Sequence, residues 1–270
     1  MPSSPRLVAT DLDGTLLRSD GTVSPQTRAT LHTLRAAGID VVFATGRPPR
    51  WMPDLLEHVA GAGLAVCSNG ALLVDLHRRE VRRAAMFTSA QVAEIVHSVS
   101  ARMPDAAFAV DYGWEFAAQR RYEPIEPHVP VETVAELAAR PAVKLLVKYR
   151  VMDSDDLLAE LSATLDGQAT CTHSGIGTGL VEMSVPGVTK ATALAELCAD
   201  RGIDAAEVVA FGDMPNDLPM LAWAGRGYAM ANAHPAVLAA VPDRAPANDA
   251  EGVARILQDL LEGHELTAPA

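Results

Sequence analysis

The chain alternates short apolar runs with longer stretches in which apolar residues return every third or fourth position. RLVAT at 6–10 is the first run, and its length and composition predict a buried strand. SPQTRATLHTLRAAG at 24–38 follows with helical spacing. Ser24 suits the N-cap, Pro25 the first turn and Gly38 the stop; Leu31 and Leu34, with Ala37, predict the buried stripe. IDVVFAT at 39–45 predicts a second strand, GRPP a loop, and 51–59 another helix; LAVCSNG at 64–70 predicts a third strand. The same alternation returns beyond 187. There TKATALAELCADRG, NDLPMLAWAG, AHPAVLAAV and EGVARILQDLLEG predict helices, and EVVAFGD and RGYAMAN predict strands. Repeated strand–helix–strand units predict an α/β fold with a Rossmann-like parallel sheet and helices on its faces.

The middle of the chain has a different rhythm. Helical stretches SAQVAEIVHSVSARM and DSDDLLAELSATL stand among short alternating strands: AFAVDYG, WEFAAQ, AVKLLVKYRV, GQATCTHS and LVEMSV. That is an α+β pattern. It predicts an inserted domain over 83–186, with 1–82 and 187–270 forming one discontinuous α/β core.

Composition narrows the function. With 270 residues, 49% hydrophobic and 21% charged, the chain can build a substantial core, and only the ends MPSSP and HELTAPA read as frayed. The net charge of −12 and the absence of a basic patch argue against nucleic acid. They leave room for a phosphorylated substrate if a cation offsets the local charge. Three scattered cysteines and the lack of an HxxxH pair predict reduced thiols and no zinc site. No signal-peptide pattern and no apolar run of about 18 residues occurs, so the expectation is a cytoplasmic protein with no membrane span, a monomer or homodimer.

In an open α/β sheet, ligands bind beyond the carboxyl ends of the strands. Three predicted strand ends carry polar residues that a core does not need. Asp11-Leu12-Asp13-Gly14-Thr15 follows the first, Thr45-Gly46-Arg47 the second, and Gly212-Asp213-Met214-Pro215-Asn216-Asp217 follows VVAF; Lys190 opens the helix before that last strand. Crowded carboxylates are unfavourable unless a cation sits among them, and hard oxygen ligands suit Mg²⁺.

In this arrangement the chain resembles the haloacid-dehalogenase-like superfamily of phosphohydrolases, in its Cof-type branch, whose cap is inserted between the second and third motifs. DLDGTLL, FATGR, the lysine of GVTKATAL and GDMPND carry the resemblance, with SNGA at 68–71 and AMANAHP at 229–235. The resemblance implies a Mg²⁺-dependent phosphatase acting through an aspartyl-phosphate, with a small phosphorylated metabolite, sugar phosphates first, as substrate. It makes Asp11 the nucleophile and Asp13 the acid and then the base, which asks for a raised pKa on Asp13. Mg²⁺ would be held by Asp11, the Asp13 carbonyl and Asp213, with Asp217 acting through a water. Thr45, Lys190 and Asn216 would hold the phosphoryl group, with Gly46, Arg47 and Asn69 lining the site.

Plainer readings stand beside these. A lone DxD is commonly a surface turn, Asp217 could serve only its helix start, and Arg47 could sit in an exposed loop. Asn69-Gly70 fits a type I′ turn. GIGTG at 175–179 lacks the dinucleotide spacing and reads as a hairpin. Tyr112, Trp114 and His128 could line a substrate pocket but fit core packing or chance exposure at least as well. A phosphomutase of the same fold, or a silent phosphate-binding regulatory protein, remains an alternative. A dehalogenase does not fit the phosphate-binding lysine, and an ion pump does not fit the length.

Overall fold

The computed structural model describes residues 5–52, 63–175 and 177–263. From residue 53 onward the helix expected at 51–59 lies outside the described residues, as do 1–4 and 264–270 of the two tails. The strands in chain order are β1 (Leu7–Thr10), β2 (Asp40–Ala44), β3 (Leu64–Cys67), β4 (Leu72–Asp75) and β5 (Glu80–Ala84). Next come β6 (Ala107–Asp111), β7 (Phe116–Ala118), β8 (Val129–Pro130), β9 (Lys144–Lys148), β10 (Thr170–Thr172) and β11 (Leu180–Ser184). The last are β12 (Val208–Gly212), β13 (Arg226–Met230) and β14 (Arg244–Ala245).

Eight strands form the core sheet in the order β14-β13-β12-β1-β2-β3-β4-β5. Those from β14 to β3 are parallel, and β1, β12 and the apolar part of β2 are buried on both faces, as expected of strands sandwiched between helices. The sheet is mixed rather than purely parallel, because β4 and β5 add an antiparallel edge that the sequence reading did not anticipate. β5 is exposed throughout and carries Arg82 and Arg83, charges that guard a sheet edge. It also straddles the expected boundary at residue 82.

The helix Pro25–Ala36 starts where its signals predict: Ser24 accepts a hydrogen bond from the Thr27 N–H. Its buried face differs from expectation. Leu31 and Leu34 point inward, but Thr27 and Thr30 complete the stripe and Ala37 is exposed, since the helix ends one residue before it. The helix Lys190–Arg201 opens with a Thr189 cap and closes on Gly202 in the left-handed region.

A second sheet, β10-β11-β9-β6-β7-β8, covers the carboxyl end of the first. Its strands alternate faces with period two. Phe108, Val110, Leu145, Val147, Val181 and Met183 pack on the helices Ser89–Arg102 and Ser154–Leu165. Ala107, Ala109, Phe116, Ala118 and Leu146 form the other face. GIGTG joins β10 to β11 of an antiparallel pair, in line with the hairpin reading; Ile176 is outside the described residues.

Candidate active site

β12, β1, β2 and β3 are neighbours in the core sheet, so the segments that follow them meet at one edge. Asp11 leaves β1 in an extended conformation, and Leu12–Leu16 then form a tight turn with Leu12, Thr15 and Leu16 buried. Gly14 makes this turn possible twice over. Its φ is +73°, and a Cβ there would lie 2.3 Å from Asp213 Oδ2. Thr15 donates its hydroxyl to Asp213 Oδ1 at 2.7 Å. The AMANAHP segment braces the same loops: Asn232 donates to the Gly14 carbonyl at 2.8 Å, and the His234 N–H donates to the Asp213 carbonyl at 2.8 Å.

Lys190 is fully buried and bridges two of the carboxylates. Its Nζ donates to Asp11 Oδ1 at 2.8 Å and to Asp217 Oδ1 at 2.7 Å. Asp217 Oδ2 accepts the N–H groups of Asp213 and Met214, both at 3.0 Å. Asp217 therefore shapes the turn at its helix start and belongs to the ion cluster at once. Asp11, Asp213 and Asp217 bring carboxylate oxygens within 4.8 Å of one another. One ammonium does not balance three buried carboxylates. Burial pushes Asp11 well above the ordinary carboxylate range; Lys190 pulls it down, and Asp217 and Asp213 push it further up. Burial, with Asp217 beside it, raises Asp213 to about 7 against the pull of Thr15 and Lys190. For Lys190, burial disfavours the charge but Asp11 and Asp217 outweigh it, so the ammonium is held. Surplus negative charge on hard oxygen donors fits a divalent cation such as Mg²⁺.

Asp13 looks the other way along the same cavity. Its side chain is 59% exposed and takes the Arg47 guanidinium bidentately, at 2.7 Å from Nε and 2.5 Å from Nη2. Arg47 is thus paired rather than loose in a loop. Thr45 is buried, and its hydroxyl accepts the Arg47 N–H at 3.0 Å.

Asn69 and Gly70 do form a left-handed turn, closed by the Ala71 N–H on the Ser68 carbonyl. The turn also presents Asn69 inward, so both sequence readings of it hold. Asn69 donates to Glu182 Oε2 at 2.6 Å and accepts from Asn216 at 3.0 Å. Among the described residues, Asn216 Oδ1 is buried and has no hydrogen-bond partner. Lys144, only 2% exposed, donates to Glu182 Oε1 at 2.7 Å and to the Gly46 carbonyl at 2.9 Å. The site thus brings together all ten residues picked from the sequence, Asn69 through its hydrogen bonds to Asn216 and Glu182.

The second sheet closes a cavity of about 760 Å³ over this edge. Phe116, Leu146 and Leu180 give it apolar walls, and Asp111, Glu126, Lys144 and Glu182 give it charge. Arg50 spans the gap: it pairs with Asp111 at 2.9 Å and bidentately with Glu126 at 2.8 Å. Sequence reasoning missed these residues. The available signal was a charge at alternate positions of otherwise apolar strands, as in Lys144 of AVKLLVKYRV and Glu182 of LVEMSV. The cap residues it did weigh stand outside the cavity itself. Tyr112 packs beneath the Arg140 guanidinium, 3.9 Å away, and Trp114 and His128 line an adjoining groove that shares Arg50, Trp51, Phe116 and Glu126 with the cavity.

Comparison with known proteins agrees with this geometry. "Putative phosphatase YxeH" of Bacillus subtilis (strain 168) is 28% identical over 267 residues, covering 95% of this chain and 98% of that one. The crystal structure of SMU.1108c from Streptococcus mutans UA159 superposes with a TM-score of 0.82 at 25% identity, covering 96% of this chain and all of the other. The fold is also that of the subclass IIB sugar phosphatase BT4131, with a TM-score of 0.80 at 18% identity over 94% of this chain and 98% of that one. The sequence model of the haloacid dehalogenase-like hydrolase family matches residues 8–257, nearly the whole chain, and the protein belongs to that family.

Proposed function

We propose that this hydrolase is a Mg²⁺-dependent phosphatase of small phosphorylated metabolites, sugar phosphates first, working through an aspartyl-phosphate on Asp11. The observation that carries the reading is the buried Asp11–Lys190–Asp217 ion cluster, with Asp213 beside it, opening into a cavity closed by the second sheet. We also assign 1–82 and 187–270 to the catalytic core and 83–186 to the cap.

Mg²⁺ would be held by Asp11, the Asp13 carbonyl and Asp213, where it would neutralise charge on the phosphate oxygens. Lys190 holds Asp11 Oδ1, so Oδ2 is the oxygen set to attack phosphorus. As that bond forms, the ester oxygen leaves and takes a proton from Asp13. Arg47 must release Asp13 for this, and the phosphate is the acceptor it would turn to. In the second step Asp13 removes a proton from water, whose oxygen attacks the phosphorus and frees Asp11 and inorganic phosphate. Lys190, Thr45 and Asn216 hold the transferring group, and positioning and charge stabilisation carry most of the rate. BT4131 is described as a sugar phosphatase, and the apolar walls and polar groups of the cavity suit a leaving group of that kind.

The test is a phosphate-release screen over phosphorylated metabolites with and without Mg²⁺. Stoichiometric phosphate, lost with excess chelator, is expected. Full activity in metal-free buffer would remove the metal from the reading. Product isomerisation with little free phosphate would favour the mutase.

A further inference from the structure

We propose that the leaving-group half of the cavity selects against a second negative charge, with Glu126 and Glu182 as the specificity-determining residues. The proposal rests on the phosphatase reading and narrows it to monophosphates whose leaving group is neutral or cationic.

The argument starts from the cations. Among the described residues lining the cavity, each basic side chain already has a carboxylate partner. Arg47 pairs with Asp13, Arg50 with Asp111 and Glu126, and Lys144 with Glu182. Arg47 lies at the phosphate end. That leaves two cations facing three carboxylates on the leaving-group side.

The pairing is tight. Arg50 Nη1 serves Asp111 at 2.9 Å and the Gly113 carbonyl at 3.0 Å, while Nε and Nη2 serve Glu126. Trp51 Nε1 also donates to Glu126, at 2.8 Å. The side chains of Arg50 and Glu126 are each 15% exposed, and that of Glu182 is 11% exposed. An incoming phosphate or carboxylate would lose its hydration here and meet no unclaimed cation, only carboxylates of its own sign.

A hydroxyl meets the opposite situation. It can donate to Glu126 or Glu182 and accept from a donor such as the Tyr122 phenol. Tyr122 lines the cavity, and burial and then Glu182, Glu126 and Asp111 keep that phenol protonated. Phe116, Leu146 and Leu180 offer the carbon face of a leaving group its contact. The cavity is therefore built for polar groups that carry no negative charge.

Two aryl phosphates of nearly one shape separate charge from fit: 4-carbamoylphenyl phosphate and 4-carboxyphenyl phosphate. Steady-state kcat/KM is measured for both in Mg²⁺, in the wild type and in Glu126→Gln. The glutamine keeps one accepting oxygen for Arg50 Nε and Trp51, removes the charge, and exchanges the acceptor that faces Arg50 Nη2 for an N–H donor. The carbamoyl compound should win by about tenfold or more in the wild type, the scale of one misplaced charge, mostly through KM. Glu126→Gln should shrink that ratio at least about threefold. Glu182→Gln, made in parallel, should shrink it too and guards against a misfolded first variant; a general packing defect would lower both rates and leave the ratio alone. Equal kcat/KM for the two compounds in the wild type, or a ratio unmoved in both variants, overturns the charge selection while phosphatase activity stands. No phosphate release from either compound overturns the phosphatase reading, and the charge selection with it.

Discussion

Lys190 is the residue on which the site's charge balance turns. Removing it leaves Asp11 and Asp217 buried without their shared partner. Lys190→Met, which keeps the volume and loses the charge, should lower kcat by about 10²-fold or more, as loss of a preorganised charge stabiliser does. It should also destabilise the metal-free protein by about 3–5 kcal/mol, the cost of breaking a buried ion pair from one side. Turnover and chemical denaturation read the two effects, and wild-type turnover in a folded variant would place Lys190 outside the chemistry. Asp11 and Asp13 should fail differently. Asp11→Asn should form no phosphoryl-enzyme. Asp13→Asn should still be phosphorylated by an activated aryl phosphate, whose leaving group needs no proton, and should then accumulate the intermediate. Acid quench with labelled substrate and peptide mapping tests this; label away from Asp11, or equal trapping in both variants, overturns the assignment. These residues were legible because each stands directly after an apolar strand or opens a helix, where no packing argument asks for a charge. Arg50 and Glu126 were not legible. Arg50 sits in the short 3-10 turn Pro49–Trp51 and Glu126 in a loop, and only the fold brings them together.

At the scale of elements, β9 and β11 carry the coupling between cap and core. Leu145 and Val147 face the cap helices, while Lys144 and Leu146 face the cavity; Val181 and Met183 alternate with Leu180 and Glu182 in the same way. Two charged members of that face, Lys144 and Glu182, reach the core through the Gly46 carbonyl and Asn69. Lys144→Met should strand Glu182 and destabilise the protein by about 3–5 kcal/mol. Adding Glu182→Leu should recover much of that loss, because a well-packed apolar pair commonly matches a buried ion pair. A double-mutant cycle by denaturation checks it, and strict additivity would show that the pair is not coupled. Most core strands and helices were readable from spacing and capping residues. β4 and β5 were not, because LLVD and EVRRA follow the Asn69-Gly70 turn with no period of their own that marks a sheet edge. Strand alternation shows that the cap has two faces. It does not say which one meets the active site until the cap helices have covered the other.

For the whole molecule, the surplus of buried carboxylates sets how stability follows pH. Asp213 sits at about 7, raised chiefly by burial, and Asp11 is raised as well. In the unfolded chain both lose their protons near the ordinary aspartate value of about 3.9. Between about pH 4 and pH 7 the folded metal-free protein therefore holds more protons than the unfolded chain, so its stability falls as pH rises. The expected drop in Tm from pH 5 to pH 7 is on the order of 5 °C for a chain of this size. Saturating Mg²⁺ should reverse the trend. The cation competes with protons for the same oxygens, so it should stabilise little at pH 5 and much more at pH 7.5. Asp213→Asn removes one of the two titrating groups and should make the metal-free profile shallower while reducing the Mg²⁺ effect. Thermal unfolding across pH, with chelator and with Mg²⁺, measures all three. A metal-free Tm that rises over this window, or a Mg²⁺ stabilisation equal at both pH values, would mean that these carboxylates are neither strained by their own charge nor the place where the cation binds.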